Sequence, residues 1–204
     1  MKFPAKSSPD FKVCPEGNHV GICNAVIDLG LQPGSVQYPA IKHQVYIRFE
    51  LAGEPIEYLK DGKPVTGPMS IGATFTASMN EKASLRKFIE NMFGKKFHTN
   101  ETAADFEMKN LLGRRCLLNI THNERGDKTY ANIATATPLP KGMVSQEPQH
   151  NPSLFYSLDE PDPKVFNALP EWMRKKIEAR VQEELPPMPA GAPDDPGFDD
   201  DIPF

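Results

Sequence analysis

Apolar and polar positions alternate most clearly over His43–Ala52. Val45, Ile47, Phe49 and Leu51 interleave with Gln44, Tyr46, Arg48 and Glu50. A period of two puts the first set on one side of a strand and the second on the other. An earlier stretch, Gly17–Leu31, mixes two parities: Val20, Ile22 and Val26 against Cys23, Ala25, Ile27 and Leu29. That mixture predicts one long strand that changes its buried face through a bend. Gln32-Pro33-Gly34-Ser35 reads as a turn, and Lys60-Asp61-Gly62-Lys63-Pro64 as a hairpin turn. Alternation returns at Met69–Met79, with Ile71, Ala73, Phe75 and Ala77 set against Ser70, Thr74, Thr76 and Ser78.

The period then lengthens. Leu85, Phe88, Ile89, Met92 and Phe93 form a stripe that predicts a helix from Glu81 to Phe93, capped by Asn80 or Ser78 and stopped by Gly94. A shorter helix is expected over Ala103–Leu112, ended by Gly113. Two strands, Arg114–Asn123 and Lys128–Pro138, flank the compact loop Glu124-Arg125-Gly126-Asp127. Three strands, a helical segment and a hairpin occur in the order of an oligonucleotide/oligosaccharide-binding (OB) barrel. The expected fold is therefore mainly β: a five-stranded OB-fold barrel over residues 1–143, its helical segment between strands 3 and 4. An extended linker is expected over 144–168 and an amphipathic helix over 169–184. Pro170 suits that helix's first turn, while Trp172, Met173, Ile177 and Val181 supply its stripe. Such a stripe must dock on the barrel, on a second copy or on a partner. Residues 185–204 are rich in Pro, Ala, Gly and Asp and are expected to form a disordered acidic tail.

Charge divides the chain in the same place. Residues 1–143 carry 18 Lys/Arg against 14 Asp/Glu, whereas residues 144–204 carry 5 against 13. A mildly basic body suits an anionic ligand, which an acidic tail can imitate. The sequence has no apolar run of signal-peptide or membrane-span type. Its three cysteines, Cys14, Cys23 and Cys116, form no C-x-x-C. A cytoplasmic setting without membrane association is the expectation.

Single-strand binders without sequence preference join a basic groove to aromatic platforms. Tyr46 and Arg48 share the polar side of their strand, so Tyr46 can stack on a base while Arg48 meets a phosphate. Tyr130 is a second platform candidate, with Lys128 as its phosphate partner. Arg114 and Arg115 enter the fourth strand, and Lys42, Lys60 and Lys63 sit where such barrels extend their groove. No phosphate-loop, nucleophile-elbow or zinc-protease motif occurs, so no catalytic residues are assigned. Asp28, Glu50, Glu54 and Glu57 have the spacing of solvent-facing strand positions. The Cys14, His19 and Cys23 spacing is loose for zinc. Neither a metal nor any other cofactor is expected.

The chain ends Gly197-Phe198-Asp199-Asp200-Asp201-Ile202-Pro203-Phe204. Three carboxylates beside an apolar Ile-Pro-Phe end suit a pocket with an apolar floor and a basic rim. This stretch resembles the acidic tip of bacterial single-stranded DNA-binding proteins. More weakly, Leu111–Cys116, Lys128–Ile133, Pro138-Leu139-Pro140 and Leu169-Pro170-Glu171-Trp172 resemble bacteriophage-encoded members of that class. The resemblance implies coating of single-stranded DNA in phage replication and recombination. It also implies recruitment of replication, recombination and repair proteins through Phe198–Phe204, and competition between the tip and DNA. The alternatives are a strand-annealing mediator and a replication adaptor that does not bind DNA.

Overall fold

The computed structural model describes residues 12–34, 39–60, 62–126, 128–143 and 148–182. The fold is mainly β: five antiparallel strands form a curled, half-barrel sheet with a few short helices. The strands are β1 (Gly17–Gln32), β2 (Lys42–Lys60), β3 (Lys63–Thr76), β4 (Arg115–Arg125) and β5 (Lys128–Thr137), laid side by side in the order β3-β2-β1-β4-β5. Strand β1 is the hinge of this order. Its first half pairs with β4, from Gly17↔Ile120 to Ile22↔Arg115, and from Gly21 onward it pairs with β2. Curling also brings β3 against β5.

A bulge between Cys23 and Ala25 explains the mixed parity of β1. Before it, Cys23 points into the main core. After it, Val26 points inward, while Ala25, Ile27 and Leu29 point out. The main core lies on the concave side, where Val45, Ile47, Phe49 and Leu51 of β2 meet Leu118 and Ile120 of β4. Its open end is plugged by α1 (Ser84–Phe93), whose Leu85, Phe88, Ile89 and Met92 are buried. The helix begins later than its stripe suggests. Ala83 occupies the cap position without a side-chain bond, so neither Asn80 nor Ser78 caps it, and Gly94 ends it at φ 64°. The second expected helix is split. Thr99 and Thr102 cap each other to start α2 (Asn100–Ala104), and only a 3₁₀ turn covers Met108–Leu111.

The stretch read as an extended linker adds regular structure instead. Leu154–Tyr156 forms β6, parallel to β1 at Ala25–Ile27, and Pro163–Ala168 forms α3. Next comes α4 (Glu171–Glu178), shorter than the expected 169–184, with Pro170 just before its first turn. Leu169, Met173 and Ile177 are buried against Ala25, Ile27, Leu29 and Tyr156, which makes a second core on the convex side of β1. Fully burying three such side chains stabilises by roughly 5–9 kcal/mol. The amphipathic helix therefore docks on its own sheet. Gly30, at φ 73°, sits beneath Arg180 and Leu158, where a Cβ would collide with both. The tip, Phe198–Phe204, and the tail from 183 onward lie outside the described residues. Among those that are described, no helix is long and apolar enough to cross a membrane.

Candidate functional site

The convex side of β2 presents Gln44, Tyr46, Arg48 and Glu50, each treated differently by its surroundings. Glu50 is buried. It accepts bonds from the His150 amide at 2.6 Å, the Asn151 amide at 3.0 Å, Asn151 Nδ2 at 2.9 Å and Asn24 Nδ2 at 3.2 Å. Four donors on one carboxylate compensate its loss of water and tie the returning chain to the sheet. Asn24, the bulge residue, also accepts from Arg48 Nε at 3.0 Å, which orients the guanidinium.

Tyr46 lies flat across the neighbouring strand. Gly72 makes room for it, since a Cβ there would strike the phenol ring and hydroxyl. The ring meets Trp172 of α4 nearly at right angles, 5.5 Å between centroids and 85° between planes. Burial pushes the Tyr46 phenol above its usual pKa, against a smaller opposing pull from Arg48. Lys176 donates to Gln44 Oε1 at 3.1 Å, and burial holds its ammonium below the usual lysine range. Among the described residues, neither Arg48 nor Lys176 forms an ion pair. Two rings and two cations thus share one surface built from β2 and α4.

Tyr130 and Lys128 lie elsewhere, on the outward side of the β4–β5 hairpin. Tyr130 is exposed opposite Asn123, and Lys128 is exposed opposite Arg125. Thr121 and Asn132 continue that polar surface as the next pair. Arg115 begins β4 opposite Ile22, at the far end of the hairpin, about 33 Å along the strand from Arg125. The Arg114 guanidinium rests 4.1 Å from the centre of the Phe93 ring. Lys42 is exposed at the start of β2 opposite Gln32. Lys60 pairs with Lys63 at the tip of a long β2–β3 arm, roughly 40 Å along the strand from Arg48. Tyr46 stays with Arg48, and Tyr130 with Lys128, while the other lysines and arginines are spread around the sheet. The partner-binding residues Phe198–Phe204 lie outside the described residues. Missed in the sequence were Trp172 and Lys176, one helical turn apart and therefore on one side of α4.

A cleft of about 540 Å³ opens at the same end of β2 as Tyr46, on its inward side, between Val45, Met79, Phe106 and Phe155. Its lining carries Asp28, Glu107, Asp159 and Glu160 alongside Lys109, with Asp28 bonded to His43 at 2.6 Å. Carboxylates outnumber cations there, which suits a polyanion less well than the surface around Tyr46. Of Asp28, Glu50, Glu54 and Glu57, three have separate partners: Asp28 takes His43, Glu54 takes His19, and Glu50, buried rather than solvent-facing, takes the amides above. No cluster of three or more His, Cys, Asp or Glu among the described residues could hold a metal ion. Burial pushes the Cys14 thiol up to about 11, and Cys23 and Cys116 up to about 12, so all three stay protonated near neutrality. No protein-family model matches this chain, and no curated protein matches it in sequence.

Proposed function

We propose that this chain binds single-stranded DNA without strong sequence preference, coats it during phage replication and recombination, and recruits partner proteins through Phe198–Phe204. The curled sheet is read as an OB barrel. The strand order, the approach of β3 to β5, and the helical segment between β3 and β4 support that reading. The observation that carries the function is the pairing of aromatic rings with cations at two outward surfaces: Tyr46 with Arg48, and Tyr130 with Lys128 and Arg125. Rings of this kind stack on any base, and the cations neutralise phosphates without reading sequence.

The test is fluorescence anisotropy of a labelled oligothymidylate with the full chain and with a chain ending at Pro196, across a salt series. If a few phosphates are neutralised, log affinity falls with log salt at a slope of about −2 to −3.5. Removing the acidic tip should tighten binding, because a tethered anion competes at an effective concentration near the millimolar range. Absence of salt-sensitive binding by either form would leave the adaptor role in its place.

A further inference from the structure

We infer that Trp172, carried on α4, is a base-stacking platform of a composite surface shared with β2. The inference rests on the proposed single-strand binding and names where a base would sit. Trp172 is 51% exposed although it belongs to the helix that closes the second core, whose Met173 and Ile177 are 2% and 1% exposed. Packing alone would turn the largest apolar ring of such a helix inward. Here the indole is instead held at the surface by Tyr46.

The Tyr46 ring lies across Gly72, in space that a Cβ there would fill, and meets the indole edge-on. Tyr46, part-buried, flanks and positions the indole, and Trp172 offers the more exposed aromatic surface beside it. Lys176 follows one turn later on α4 and is fixed by Gln44, two residues before Tyr46 on β2. Arg48 lies two residues beyond Tyr46, aimed by Asn24. Thr74 and Thr76 of β3, both exposed, stand opposite Tyr46 and Gln44 and add hydroxyls to the floor. Among the described residues, the one α4 carboxylate in an ion pair is Glu171, whose partner is Lys175. An exposed indole bordered by two cations without ion pairs and by neutral hydroxyls suits one base and its two flanking phosphates. It suits neither an acidic nor a purely apolar partner.

Because the chain holds one tryptophan, the unmodified protein reports on this surface directly. Oligothymidylate is added to the full chain at low salt, with tryptophan emission and the anisotropy of a labelled strand followed in parallel. Emission should be quenched in step with binding. Trp172→Ala should weaken binding roughly ten-fold or more, Trp172→Tyr should restore most of it, and thermal unfolding should confirm that both variants keep the fold. Gly72→Ala, which displaces Tyr46, should weaken binding while leaving the indole in the chain. Anisotropy that rises while tryptophan emission stays constant, together with unchanged binding by Trp172→Ala, would overturn the platform and leave single-strand binding intact. No binding by any form would remove both.

Discussion

The two halves of the sheet meet solvent in opposite ways. On the convex side of β1 and β2 the chain places Ala25, Ile27, Leu29 and a buried Glu50, and residues 148–182 return to cover them. On the outward side of β4 and β5 it places Asn119, Thr121, Asn123, Tyr130 and Asn132, all part-exposed or exposed. One half needs a second layer, and the other is satisfied by water. The contrast shows that the body of this protein does not end with its last antiparallel strand. The layer over β1 is part of the fold, and its outermost ring is part of the candidate site.

The most severe way to break the comparison is to end the chain after Met143. The covered half would then expose its apolar strip, at a cost of roughly 5–9 kcal/mol in lost burial. Loss of a cooperative thermal transition, or aggregation in sedimentation, is the expected outcome; an unchanged melting temperature would show the layer to be dispensable. Glu50→Ala strikes one point of the same layer. It strands the amides of His150 and Asn151 and should cost about 2–4 kcal/mol in chemical denaturation. Faster proteolysis within residues 148–182 should accompany it.

Alkaline titration probes the place where the two halves meet, at Cys23 of β1 and Cys116 of β4. Burial, above all, raises both folded thiols to about 12, from an ordinary value near 9.0. In the unfolded chain they lose their protons first as pH climbs past 9. Stability is therefore complete below that point and falls as pH rises toward 12, by about 1 kcal/mol per thiol near pH 10. Unfolding curves at pH 8 and 10 measure it, and replacing both cysteines with alanine should reduce the difference, leaving the share of Cys14, whose thiol burial also raises. The smallest effect on stability belongs to the uncovered half. Tyr130→Ala should change it by less than about 0.5 kcal/mol, yet weaken oligothymidylate binding roughly ten-fold.

Much of this arrangement is legible along the chain, for particular reasons. Strict alternation at Val45–Leu51 identifies both sides of β2 because one side is wholly apolar. The two parities along β1, Val20, Ile22 and Val26 against Cys23, Ala25, Ile27 and Leu29, signal a strand that changes its buried face through a bend, but not the layer that covers its second face. Trp172, Met173 and Ile177 signal a helix in need of a surface. That each answers the other is not written locally, since β6 pairs with β1 across some 130 residues and has only three residues of its own. Three residues are too few to show a period. The pairing of Tyr46 with Arg48 follows from strand geometry alone. Placing Trp172 beside them requires the docking angle of α4, which no spacing encodes.

The second edge of β1 is occupied in succession by β4, by Gly113 and Arg114, by β6, and finally by the Val181 amide on the Leu31 carbonyl. Residues 113–125, then β6, then Val181 arrive in that order during synthesis, and the last arrives about 150 residues after β1 itself. At roughly 5–20 residues per second on the ribosome, the apolar strip of the nascent β1 waits on the order of 10–30 s for its lid. During translation, that interval is when the strip is open to a chaperone or to a neighbouring nascent chain. Slowing elongation between residues 143 and 182 would lengthen it and should lower the soluble yield without altering any residue of the finished protein.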